Sequence, residues 1–110
     1  MAPVGVDLCA PVPEATARRL VRRWLPAHRP AWEAVPPAER AWAFARLWSS
    51  MEAVAKTAGV PLLPGIACVE LHDDTGGLRG DPASGCRLYG TALPAGHLTV
   101  ARQMSRGSGR

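Results

Sequence analysis

Lysine is almost missing from this chain. Lys56 is the single lysine among 13 basic side chains, and the other 12 are arginine. In a composition so rich in Ala, Arg and Pro, arginine serves wherever a positive charge is enough. A retained lysine marks a place that wants a compact, flexible ammonium instead of a planar fork. Aromatics are scarce too, with one Phe and one Tyr, yet four Trp fall between positions 24 and 48. That stretch is expected to hold the core helices. The three cysteines, Cys9, Cys68 and Cys86, are an odd number and include no CxxC. With no secretory apolar segment at the start, reduced thiols in a cytoplasmic protein are expected. His28, His72 and His97 are scattered, which excludes zinc-site spacing. No apolar run reaches the ~18–20 residues that span a bilayer, so no membrane is expected as a partner.

What remains is enough for one small folded domain. Of 110 residues, 47% are apolar and 20% charged. This is the composition of a globular chain, not a disordered one. The domain is expected over residues 1–103, with a disordered tail over 104–110. The net charge of +4 favours acidic partners in general. No aromatic-interleaved basic motif accompanies it, so nucleic acid is not expected.

Val4-Gly5-Val6-Asp7-Leu8 reads as a first strand, with Asp7 on the face opposite Val4, Val6 and Leu8. A helix is expected from Glu14 to Leu25, set between Pro13 and Pro26. Its apolar stripe includes Leu20, Val21 and Trp24, and Arg18, Arg19, Arg22 and Arg23 fill the other side. Residues 26–37 are Pro-rich and predict a bent connection with at most a short helix. Ala38 to Ala58 is the strongest element, closed by Gly59 and Pro61. Apolar positions surround much of it, as in a largely buried helix. Strands are expected at Ile66–Leu71, Cys86–Thr91 and His97–Arg102. His72-Asp73-Asp74 reads as a turn, and residues 77–85 as an extension of that loop. His28 and His97 read as surface or loop residues, and Ser49 and Ser50 as mid-helix packing or back-bonding residues. The order is β-α-α-β-β-β: an α+β fold with an antiparallel sheet packed on one long helix.

Lys56 follows Glu52 by one helical turn, so both side chains share a helix face. Glu52 also has Trp48 at i−4 and Ala55 at i+3. A carboxylate beside that much apolar surface should hold a proton or bind a cation. The plain reading of the two residues is a helix pair worth about 0.2–0.5 kcal/mol.

Two segments carry more than that. Gly5-Val6-Asp7 lies on a first strand; 45 residues after Asp7 comes Glu52, in Trp48-Ser49-Ser50-Met51-Glu52-Ala53-Val54-Ala55-Lys56. Together they resemble the 4′-phosphopantetheinyl transferase superfamily. Its members carry a Gly-(Ile/Val)-Asp strand and a Trp-(Ser/Thr)-x-Lys-Glu-(Ala/Ser)-x-x-Lys helix. Leu93–Ala101 is similar to the family's last strand. The resemblance runs over residues 3–102 and is nearest to the second half of the long, tandem form. In length the chain is similar to the short holo-acyl-carrier-protein synthase form.

The resemblance implies Mg²⁺-dependent transfer of the phosphopantetheine arm of coenzyme A to a serine of an acyl, peptidyl or aryl carrier protein. It implies Asp7 and Glu52 as metal ligands, Glu52 also as base, and Lys56 as the contact to the transferred phosphate. The residue types suit such chemistry. Phosphoryl transfer is catalysed by positioning and charge neutralisation, and two carboxylates with water and substrate phosphate can hold Mg²⁺. The chain also departs from the family. Met51 stands where the family has a lysine near the coenzyme A phosphates. Cys9 stands where many members have a second acid, and a small buried apolar role is expected for it. The half that supplies most of the nucleotide site has no counterpart here. A homo-oligomer or a companion half-domain is therefore expected, with the Arg18–Arg23 cluster either docking an acidic carrier or simply solvated. Two other readings stand beside transfer: a weak or inactive half-domain that binds a carrier or partner chain, and a small basic binding module.

Overall fold

The computed structural model describes residues 4–59, 70–74, 77–81 and 86–103; for 58, 70–74, 77–81 and 103 it describes the backbone alone. The fold is α+β, an antiparallel sheet packed on one long helix. Strand β1 (Val4–Cys9) is followed by α1 (Glu14–Trp24), a short α2 (Arg29–Glu33) and the long α3 (Arg40–Ala58). Strands β2 (Glu70–Asp74), β3 (Gly77–Asp81), β4 (Cys86–Leu93) and β5 (Gly96–Gln103) complete the sheet. Its order is β1-β5-β4-β3-β2, with every neighbour antiparallel.

Helix α3 is the axis of the molecule. It begins after a 3₁₀ turn at Pro37–Glu39 and ends at Gly59, in the left-handed region at φ 72°, whose N–H returns to the carbonyls of Ala55 and Lys56. Such a cap wants glycine. The helix buries Phe44, Met51 and Val54 beside the small residues Ala45, Ser49, Ser50, Ala53 and Ala55. Small side chains on that face let it lie close to the sheet. The closest approach is at Gly5, where a Cβ would collide with the Ala53 carbonyl and stand 2.6 Å from Thr57 Oγ1. The glycine of the Gly-x-Asp strand is thus what brings Asp7 against α3.

The period-two pattern of β1 is inverted relative to ordinary burial. Gly5, Asp7 and Cys9 face the helix, while Val4, Val6 and Leu8 are exposed on the other face. Their neighbours across the sheet, through the pairs Val6↔Val100↔Tyr89, extend this uncovered apolar surface, and Tyr89 and Leu93 are exposed as well.

Residues 26–37 form the expected bent connection: a 3₁₀ turn at Pro26–His28, then α2. Charge and one buried indole hold it in place. Glu14 Oε2 accepts from Arg18 Nη2 and Arg40 Nη1, both at 2.8 Å. Glu33 Oε2 accepts from Arg18 Nη1 at 2.9 Å and Arg29 Nε at 3.0 Å. Arg40 also donates to the Val35 and Glu33 carbonyls, and Trp32 Nε1 donates to the Arg40 carbonyl. The Arg18–Arg23 cluster is therefore not uniform. Arg18 is an internal strut, whereas Arg19, Arg22 and Arg23 are exposed, Arg23 lying over its neighbour Trp24.

The loop expected over 72–85 is corrected in part. His72, Asp73 and Asp74 belong to β2, and Gly77–Asp81 is β3. Gly80 pairs with Leu71 on one side and Cys86 on the other. Ladder hydrogen bonds make a strand there without the apolar alternation that a sequence pattern needs. Positions 66–69, including Cys68, and the tail 104–110 lie outside the described residues.

Candidate functional site

Asp7 arrives from β1 and Glu52 and Lys56 from α3. Lys56 Nζ donates to Asp7 Oδ1 at 2.9 Å and to the Val6 carbonyl at 3.0 Å. The ammonium side chain is 45% exposed and the carboxylate only 11%. The lysine thus lies along the strand with its charge at the solvent edge and half in water. An ion pair of that kind contributes at most about 1 kcal/mol. Both hydrogen bonds of Lys56 go to β1, while its charge also acts on Glu52 one helical turn before it.

Asp7 is incompletely satisfied. Its Oδ2 is buried and has no partner while Glu52 is ionised; a proton on Glu52 can be shared with Asp7. An orphan carboxylate oxygen is costly in such a place. Glu52 stands next to it, half-buried. Burial first, then the hydrogen bond to and charge of Asp7, push the Glu52 carboxyl up to about 7. The Lys56 charge and the Trp48 indole pull the other way without cancelling that rise. Two carboxyls therefore share one half-buried place with a single ammonium. The arrangement lacks positive charge: it favours a proton on Glu52, or a cation between the two acids.

Cys9 lies two residues from Asp7 on the same strand face and pairs with His97 in the sheet. Its Sγ reaches the Ala10 carbonyl at 3.4 Å. Burial first, then the charges of Asp7 and Glu52, push the thiol up to about 11. It is a protonated, half-buried neighbour of the acids. Among the described residues no three His, Cys, Asp or Glu side chains gather as a metal cage. The donor set is two carboxylates, which suits an oxygen-seeking, largely hydrated ion such as Mg²⁺ and does not suit Zn²⁺.

One expectation is met here and one needs correction. Met51 is 1% exposed and lies in the core. This is the place of an apolar residue on a largely buried helix, and an unpaired charge there would be costly. His97 is not a surface residue. It is buried, with Nδ1 at 3.3 Å from both Ser49 Oγ and Thr99 Oγ1, and those hydroxyls are 2.8 Å apart. Ser49 and Ser50 do donate back to the Arg46 carbonyl, as mid-helix serines do. Sequence reasoning missed the Ser49–Thr99–His97 cluster because its members are 48 and 50 residues apart. The one available signal was two consecutive serines on an otherwise apolar helix.

A family model for the 4′-phosphopantetheinyl transferase superfamily matches residues 3–82, from β1 through β3. The chain belongs to that superfamily. No curated protein and no solved structure matches it. The matched region contains Asp7, Glu52 and Lys56, and the family is one of transferases that handle the phosphopantetheine group. Among the described residues, no helix is long and apolar enough to cross a membrane.

Proposed function

We propose that this chain transfers the 4′-phosphopantetheine arm of coenzyme A to a serine of a carrier protein, using Asp7, Glu52 and Lys56. The observation that carries the reading is the charge imbalance of the site: an orphan buried oxygen on Asp7 beside a Glu52 carboxyl raised to about 7. Asp7 and Glu52 would hold Mg²⁺, and the residues fit that ion because both offer carboxylate oxygen where positive charge is short. When bound, Mg²⁺ supplies charge neutralisation to the phosphoryl group. Glu52, beside the attacking serine, takes the proton from its hydroxyl. Lys56, flexible and half in water, leaves Asp7 for the phosphate; a point charge on a long stem suits that movement. The serine oxygen gains the phosphoryl group, and the nucleotide portion of coenzyme A leaves.

The test is mass addition to a purified apo carrier protein, given coenzyme A and Mg²⁺. Wild type should add the arm, chelator should stop it, and Glu52→Gln should lower the rate by about 10²–10⁴-fold, the usual contribution of a general base. Transfer that survives Glu52→Gln would remove the assignment. A second reading is binding of a carrier or partner chain without transfer. Its supporting observation is that Lys56 is already engaged by Asp7. Carrier binding by a wild-type protein that never adds mass would favour it.

The uncovered face of the sheet belongs to the same proposal. Val4, Val6, Leu8, Tyr89 and Leu93 are apolar and exposed together. We infer that a second copy or a companion half-domain covers them, as contiguous apolar patches usually mark an interface. Sedimentation should show self-association that Val6→Glu weakens; a wild-type monomer at all concentrations, with no binding of a companion half, would oppose it.

A further inference from the structure

A cleft of about 440 Å³ lies away from the carboxylate pair, between the start of α3 and the β4–β5 hairpin. Val35, Glu39, Trp42, Arg46, Ala92 and His97 line it. The volume falls within the range of small-molecule sites. Its wall is unusual for this molecule. Trp24, Trp32 and Trp48 are buried or half-buried, but Trp42 is 39% exposed, and it is exposed inside a concavity. Arg46 is exposed and, among the described residues, makes no ion pair, unlike Arg18, Arg29 and Arg40.

His97 completes the set. Its Nδ1 lies 3.3 Å from both the Ser49 and the Thr99 hydroxyls, and the residue forms part of the cleft wall. The ring is held in one place. Gly90 leaves room for it, since a Cβ there would stand 2.5 Å from Cε1 and 3.2 Å from Nε2. The cleft therefore joins a flat aromatic wall, a guanidinium with no ion pair among the described residues, and a fixed imidazole ring. Glu39, about two turns before Arg46, disfavours negative charge at its own end of the cleft, which puts any anion at the Arg46 end.

We propose that this cleft binds a planar anion: a flat ring against Trp42, and a carboxylate or phosphate on Arg46, with the His97 ring in the cleft wall. Arginine matches both anions by its fork, and indole stacks on any flat π-face. Nucleotides and aromatic carboxylates share this chemistry. The inference does not rest on the transferase reading, since none of its residues belongs to the carboxylate site.

The 110-residue chain should be titrated, with chelator present, with adenosine monophosphate, benzoate and inorganic phosphate, following the ring resonances of Trp42 and His97 by NMR. One of the two aromatic anions should saturate with a dissociation constant below about 1 mM. Saturation by adenosine monophosphate points to a nucleotide, and saturation by benzoate to an aryl acid; either supports the cleft. Arg46→Gln should weaken binding about 10-fold or more, as loss of a charge-assisted hydrogen bond does. Trp42→Leu should weaken it while keeping an apolar wall. Both positions are exposed, so both variants should fold, and circular dichroism will check them. The proposal is overturned if neither aromatic anion saturates, if inorganic phosphate binds as tightly as they do, or if both variants bind like wild type.

Discussion

Two charged clusters flank this small domain, and they are built to opposite rules. At the α1–α2–α3 junction, Glu14 and Glu33 each accept from two arginines, at 2.8 to 3.0 Å. Arginine hydrogen bonds, from Arg40 and then Arg18 at Glu14 and from Arg29 at Glu33, hold both carboxyls below the ordinary glutamate range. At the β1–α3 contact, two carboxyls share one ammonium, one oxygen is orphaned, and Glu52 is driven upward to about 7. The first cluster has more positive than negative charge and fixes Arg40 to two backbone carbonyls. The second is short of positive charge. That imbalance is the observation on which the proposed metal and transfer roles rest.

If the second cluster lacked only fixed charge, a lysine at position 51 would repair it. The structure argues against that. Met51 is 1% exposed and packs in the core. Met51→Lys would bury an ammonium among apolar side chains, which costs about 3 kcal/mol or more. Thermal or denaturant unfolding should show that loss or an unfolded chain. Unchanged stability with faster transfer would mean that the side chain reaches the phosphates after all, and the core assignment would fall.

The balanced cluster can be broken from its centre. Arg40→Met retains much of the stem but strips three donors, leaving the Val35 and Glu33 carbonyls and Glu14 without them. A loss of about 1–3 kcal/mol is expected in urea unfolding. Phosphopantetheine transfer, if the proposal holds, should be unaffected at temperatures where the variant is folded. A variant as stable as wild type would show that the network is a surface ornament.

Much of this was legible in the sequence, for reasons that differ by element. The long helix, its glycine cap and the Pro-bounded α1 follow from local propensity, and the structure has them within about two residues. Gly5 and Asp7 were readable as a motif, but the reason for the glycine was not, because the Ala53 carbonyl that demands it is far along the chain. The β2–β3 hairpin was missed because its glycines and acids pair through backbone ladders that leave no hydrophobic period. Met51 lies in the core, as an apolar position of a largely buried helix should, while its place in the motif gives spacing and not direction. His97 was misjudged. A lone histidine in a strand looks exposed until Ser49 and Thr99, from an element 48 residues away and from its own strand, are brought to its Nδ1.

The finest test of the contrast is the pH dependence of stability, with and without a divalent ion. Glu52 is raised from 4.5 to about 7, so between those values the folded chain holds more proton at this site than the unfolded one. Stability from this group must then fall as pH rises through that window, and the penalty is complete above it. Burial, and after it Arg46, hold His97 below its ordinary 6.5, which gives the opposite trend as pH rises toward 6.5. The difference between wild type and Glu52→Gln isolates the glutamate. The amide should raise the melting temperature more at pH 8 than at pH 5, by on the order of a few degrees. Mg²⁺ should do the same for wild type, since an ion that binds only the folded form adds stability by mass action, and it should do less for Glu52→Gln. At the other cluster, Glu33→Gln should show no gain at pH 8, because that carboxyl is already paired with cations. Equal pH profiles for wild type and Glu52→Gln would mean that the two acids are not in conflict, and the distinction between the clusters would collapse.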